Sequence, residues 1–222
     1  MTTSTQEQGS RWTRPFEPVG KVVSKKIGEL QEPYLNGSST AKARLARLRR
    51  SVTQDVADVP AIWEDTLSDI PLPDNYDVDD PTRNDNPTCH EVAAHVALTL
   101  YALHQQSRTK PMHVRGLGFG TAIRRLAAAT DADVAVTRRF AALVTASDLT
   151  EVRHHMRGLI NQLRTNDIPL DYGLLADDFV ALQDLDRASN TRLRWGRDFH
   201  RAGQAKQPDE PESTIAEPEN GE

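Results

Sequence analysis

The chain has 222 residues, of which 37% are hydrophobic and 27% charged, with a formal net charge of −5 and a single cysteine. That length suits one domain with a real core, and the modest apolar content points to unstructured ends. Cys89 alone excludes an internal disulfide and a cysteine-rich metal site and fits a reducing cytoplasm, while no apolar run approaches the ~20 residues that span a bilayer, so no membrane partner is expected.

Residues 1–10 form a polar leader, expected to be disordered, with neither the basic nor the apolar region of a secretory signal. Residues 11–70 read as an N-terminal helical lobe. Val22, Val23, Ile27 and Leu30 recur at helical spacing, and Pro33 is expected to end that helix. A turn at residues 36–39 follows, with Ser39 or Thr40 capping the next helix. There Ala41, Leu45, Leu48 and Val52 make one narrow stripe, and Lys42, Arg44, Arg47, Arg49 and Arg50 occupy the rest. Five cations within nine residues and no acid among them repel one another. A polyanion would relieve that repulsion, whereas the plain alternative is a basic face that keeps the protein soluble.

The segment from Ile62 to Ile70 is amphipathic and carries Trp63 and Leu67. Residues 71–87 hold four prolines and five aspartates, which suits a long acidic surface loop between two lobes. Residues 88–206 read as a C-terminal helical bundle. Thr88 and Glu91 have the form of a capping box opening a helix to about Gln106. A glycine-rich break at 116–120 precedes a short helix, Thr121 to Ala129. Asp131 or Asp133 starts the next, and Asp148 with Glu151 starts another whose stripe is Leu149, Val152, Met156, Leu159, Ile160 and Leu163. Asp171 begins a helix through Leu185, and Arg187 to Ala202 supplies the last. No segment alternates with period two, so the fold class is all-α: a bundle of seven to nine helices in two lobes. Residues 207–222, with six acids and no Lys or Arg, are expected to be a disordered acidic tail.

Catalytic signatures are weak. His90 and His95 stand five apart, not the four that would place two metal ligands on one helix face. Gly116, Gly118 and Gly120 lack the preceding strand of a dinucleotide site, although a glycine turn at a helix start can offer N–H groups to a phosphate; a packing role is the alternative. Cys89, at a helix N-terminus, has a position that can lower a thiol pKa, yet nothing marks it as a nucleophile. No catalysis, metal or cofactor is expected.

Charge distribution is more informative than total charge, since fields act within a Debye length of ~8–10 Å. Residues 11–54 sum to +7 and residues 92–206 to +5, whereas residues 55–91 hold eleven acids and one base. Of the sixteen bases in 92–206, fourteen are arginine, the side chain that forks onto phosphate. Arg153, Arg157 and Arg164 lie within about 40° of one another on their helix. Arg187, Arg194, Arg197 and Arg201 share a face of the last one, and Arg124, Arg125, Arg138 and Arg139 form two further pairs. Cationic helix faces with few aromatics suit sequence-independent tracking of a sugar-phosphate backbone. The rival reading is a helical adaptor that binds protein only, with the acidic segment 64–85 neutralising some of the basic faces internally.

An ordered set of segments carries a more specific signal: AKARLARLRR (41–50), LTLYALHQ (98–105), LGFGTAIRRL (117–126), RRFAALV (138–144), LINQLR (159–164), residues 170–182 and LRWGRDF (193–199). In their order and spacing the chain resembles the CasB family, the small subunit of the type I-E CRISPR surveillance complex Cascade. The resemblance implies a non-enzymatic helical protein, present in two copies, packed against the guide-RNA backbone subunits and the large subunit. Its implied task is to hold guide RNA and target DNA and to stabilise the R-loop. The implied contact residues are Arg44, Arg49, Arg50, Arg138 and Arg139, followed by Arg124, Arg125, Arg194 and Arg197. The acidic tail is an addition to that pattern, and its carboxylates are expected to compete with DNA.

Overall fold

One helix, α4 (Cys89–Gln105), is buried on every side from Ala93 to Gln105, and the other elements are arranged around it. The structure, a computed structural model, describes residues 14–77, 86–130 and 133–204, with side chains to 201. Among these it is all-α, with nine helices. The leader, the tail and residues 78–85 of the acidic loop lie outside the described residues.

Local signals set most boundaries. Thr88 accepts from the Glu91 N–H and the Glu91 carboxylate accepts from the Thr88 N–H, which completes the capping box that starts α4. Asp148 caps α7 (Leu149–Thr165) and Asp171 caps α8 (Tyr172–Leu182), each through its side chain. Among the boundaries that differ from expectation, three have a local cause. Pro33 lies inside the last turn of α1 (Pro18–Leu35), where the missing N–H removes one hydrogen bond and Asn36 closes the end onto Glu32. Ser38, one residue before the expected caps, caps α2 (Ser39–Arg50). The eighth helix stops at Leu182 because the Asp184 carboxylate accepts the Asp186 and Arg187 N–H groups and begins α9 (Leu185–Gln204).

Two single-turn 3-10 helices and the short α3 (Trp63–Thr66) follow α2. α1 lies along α8 and α4, and α2 along α4; α5 (Phe119–Ala129) lies along α9, with α6 (Asp133–Val144) and α7 beside it. Helices before and after the acidic loop thus share one hydrophobic cluster, running from Val19 to Phe199. Asp177 of α8 reaches the N-terminus of α1 and accepts the Glu17 and Gly20 N–H groups at 2.8 and 2.6 Å, satisfying orphan donors from a neighbouring helix. Among the described residues no helix is long and apolar enough to cross a membrane.

Candidate nucleic-acid interface

The tight crossing of α5 and α9 sets the site. A Cβ at Gly120 would fall 2.1 Å from the Trp195 carbonyl oxygen, so only glycine lets α5 lie so tightly on α9. Trp195, buried at that crossing, packs against Phe119. The segment before α5 is pinned to the one before α8: Leu170 donates to Met112 O, Val114 to Leu170 O and Asp171 to Leu117 O. Gly116, at φ 81°, turns the chain there and donates to Asp171 Oδ2 at 2.7 Å. Gly116 therefore serves a turn and Gly120 a helix crossing.

Between this pinned loop, α5 and α9 lies a groove of about 910 Å³. Six arginines line it, Arg14, Arg115, Arg125, Arg194, Arg197 and Arg201, against two carboxylates, Asp178 and Asp198. Asp178 is buried and organises one wall. It accepts from Trp195 Nε1 at 2.6 Å and from Arg194 Nη2 at 2.6 Å, and pairs with Arg14 Nη1 at 2.7 Å. Arg14 also donates to Leu174 O, and the Arg115 guanidinium stacks 4.8 Å over Phe16. Burial pushes the Asp198 carboxyl above its ordinary range, against the pull of Arg194 and Arg201. Arg115, Arg125, Arg197 and Arg201 have no carboxylate within ion-pairing distance among the described residues. Such a wall offers free forked donors to an anionic chain, with half-exposed Leu193 as an apolar part of the lining.

The basic residues singled out from sequence separate into two kinds. Arg44 is ion-paired with buried Asp65, and Arg153 with Asp55 at 2.7 Å while also donating to Gln54 O. Arg124 faces Asp133 at 3.4 Å and lies over the Phe199 ring, and Arg194 is held by Asp178. These four bind carboxylates of their own chain, but of those carboxylates only Asp65, the partner of Arg44, belongs to the acidic segment 64–85. Lys42, Arg47 and Arg50 project outward from α2, opposite buried Ala41, Leu45 and Leu48, with Arg49 half-buried beside them. Arg138 and Arg139 are exposed on α6 and Arg157 is half-buried on α7. Of the sequence candidates only Arg125, Arg194 and Arg197 line the groove together. Arg14 and Arg115 escaped notice because both lie outside helices, where no periodicity marks them. Arg201 was already visible on the α9 stripe.

The other candidates are structural. His90 Nδ1 meets Pro71 O and His95 Nε2 meets Gln54 O, so the two rings face different carbonyls. Burial pushes the Cys89 thiol up, outweighing the opposite pull of the backbone hydrogen bonds at the helix N-terminus.

The family model for CRISPR-associated protein Cse2 matches residues 44–200. CasB from Thermobifida fusca, known as a crystal structure, is 36% identical with a TM-score of 0.68, over 84% of this chain and 99% of that one. A CRISPR-associated protein of the Cse2 family from Thermus thermophilus is 20% identical, with a TM-score of 0.57 over 82% of this chain and 97% of that one. A chain of a CRISPR RNA-guided surveillance complex is 17% identical, with a TM-score of 0.63 over 84% and 96%. At these lower identities the last two speak to the fold alone. Comparison with curated proteins gives no match.

Proposed function

The chain belongs to the CRISPR-associated Cse2 family, and from that premise we propose that it is the non-catalytic small subunit of a type I-E Cascade, acting in the cytoplasm in antiviral defence. In this reading it packs against the guide-RNA backbone subunits, the large subunit and a second copy of itself, and holds target DNA through phosphate contacts that ignore sequence. The observation that carries the reading is the α5–α9 groove, in which four arginines lack carboxylate partners among the described residues. The α2 surface of Lys42, Arg47, Arg49 and Arg50 adds a second set of cations, and Arg138, Arg139 and Arg157 further ones. Exchange of a DNA duplex for a guide heteroduplex is nearly balanced in free energy, so a few backbone contacts are enough to tip it.

The test is R-loop formation by a reconstituted complex containing this chain at matched salt. Arg49→Ala with Arg50→Ala, and separately Arg125→Ala with Arg197→Ala, should each lower target affinity about tenfold, or ~1.4 kcal/mol, without changing sequence preference. Unchanged yield for both pairs contradicts the proposal. A second reading is an adaptor that touches only protein, for which the exposed apolar side chains Val134 (83%) and Leu185 (93%) are the contacts to test. It predicts loss of assembly rather than of DNA capture when those two residues are made polar.

A further inference from the structure

We propose that, in the absence of nucleic acid, the α5–α9 groove is occupied by the chain's own acidic C-terminal segment, residues 207–222, which thereby competes with the bound strand. The inference rests on reading the groove as a phosphate site and adds its regulation.

Three observations converge. The groove concentrates Arg115, Arg125, Arg197 and Arg201 without carboxylate partners among the described residues. Their mutual repulsion rises as they are brought together, and any anion placed among them relieves it. The carboxylates on the walls are Asp178, already shared by two arginines, and Asp198. The second observation is composition. Residues 207–222 hold six acids and no Lys or Arg. Seen from the groove, that segment is a polyanion with charges spaced along a backbone, the same chemistry as a nucleic-acid strand.

The third observation is connectivity. The helix that supplies Arg194, Arg197 and Arg201 is α9, which ends at Gln204. Arg194 lies ten residues before that end, about 15 Å along the axis. The sixteen residues of the segment can extend ~50 Å, so it reaches the whole groove after doubling back. Tethering at this length gives an effective concentration on the order of millimolar, so weak contacts suffice to occupy the site and a tight-binding strand still displaces them.

The test uses the full chain and a full-length variant with D209N, E210Q, E212Q, E217Q, E219Q and E222Q. A labelled oligothymidine should bind the variant about three- to tenfold more tightly than the unaltered chain at about 50 mM salt, the difference vanishing near 300 mM. A labelled peptide of residues 207–222 should bind the neutralised variant. Adding Arg125→Glu with Arg197→Glu should abolish that binding, whereas the same charge change at Lys21 and Lys25 on α1 should not. Peptide binding that survives reversal of the groove, or no peptide binding at all, overturns the proposal. Peptide captured by the groove while no oligonucleotide binds either protein would count against the nucleic-acid reading alone. Oligonucleotide binding that needs the groove arginines but ignores both tail and peptide would retire the tail alone.

Discussion

Two arginines of α2, three residues apart, have different partners. Arg47 points into solvent, whereas Arg44 holds the Asp65 carboxylate, which is buried on α3. Removing Arg44 leaves a buried charge without its partner, which costs more than an exposed cation contributes. Arg44→Ala should therefore destabilise the protein by about 2 kcal/mol and lower Tm by about 4–8 °C. Arg47→Ala should leave Tm unchanged and weaken nucleic-acid binding; the opposite assignment in a melting experiment contradicts it. Buried histidines give a second prediction. Burial depresses His95 to about 4 and His104 to about 3, against ~6.5 unfolded. Their neutral forms favour the fold fully above pH 6.5, and that stability is lost as pH falls towards those values. Asp177, raised to about 6 by burial, acts in the opposite sense, its contribution growing as pH falls below 6. His113, lowered by burial, adds to the histidine side and Asp198, raised by burial, to the other; with the histidines ahead, stability measured in urea should fall between pH 6.5 and 5, by roughly 1–2 kcal/mol per unit. His95→Gln should flatten that slope; a midpoint indifferent to pH rejects the account.

Among the elements, the α5–α9 crossing is the least tolerant. Gly120→Ala must displace the backbone of α9 and should cost about 2–3 kcal/mol, while Gly28→Ala, with nothing within 4 Å, should be neutral or stabilising by ~0.5–1 kcal/mol. Denaturant midpoints of the pair decide this, and equal effects refute it. Most helices were legible in the sequence because their starts carry side-chain chemistry, as at Thr88, Asp148 and Asp171. Pro33 misled because the penalty of a proline falls to one lost hydrogen bond near a helix end. Less of the site was legible. Helical spacing displays which cations share a face, as on α9, but not which carboxylate meets them from elsewhere. Asp65 and Asp178 reach Arg44 and Arg194 from other helices, and Arg14 joins Arg115 at the groove only through the packing of α1 against α8.

For the molecule as a whole, a net negative chain binds a polyanion only if its charges are segregated, and they are. Part of the basic excess is neutralised internally, at Asp55, Asp65, Asp133 and Asp178. What remains outward lies on α2 and α6 and in the groove between α5 and α9. The match to the Cse2 family over residues 44–200 spans these elements except the start of α2 and the last residues of α9, Arg201 to Gln204, while the acidic tail lies beyond it. The most direct measurement is the salt dependence of oligothymidine binding by the full chain and by Arg125→Ala/Arg197→Ala. Removing two phosphate contacts should reduce the log–log slope by about 1.4, equally for oligonucleotides of any sequence. An unchanged slope, or a loss confined to one sequence, would contradict the groove as the seat of backbone binding.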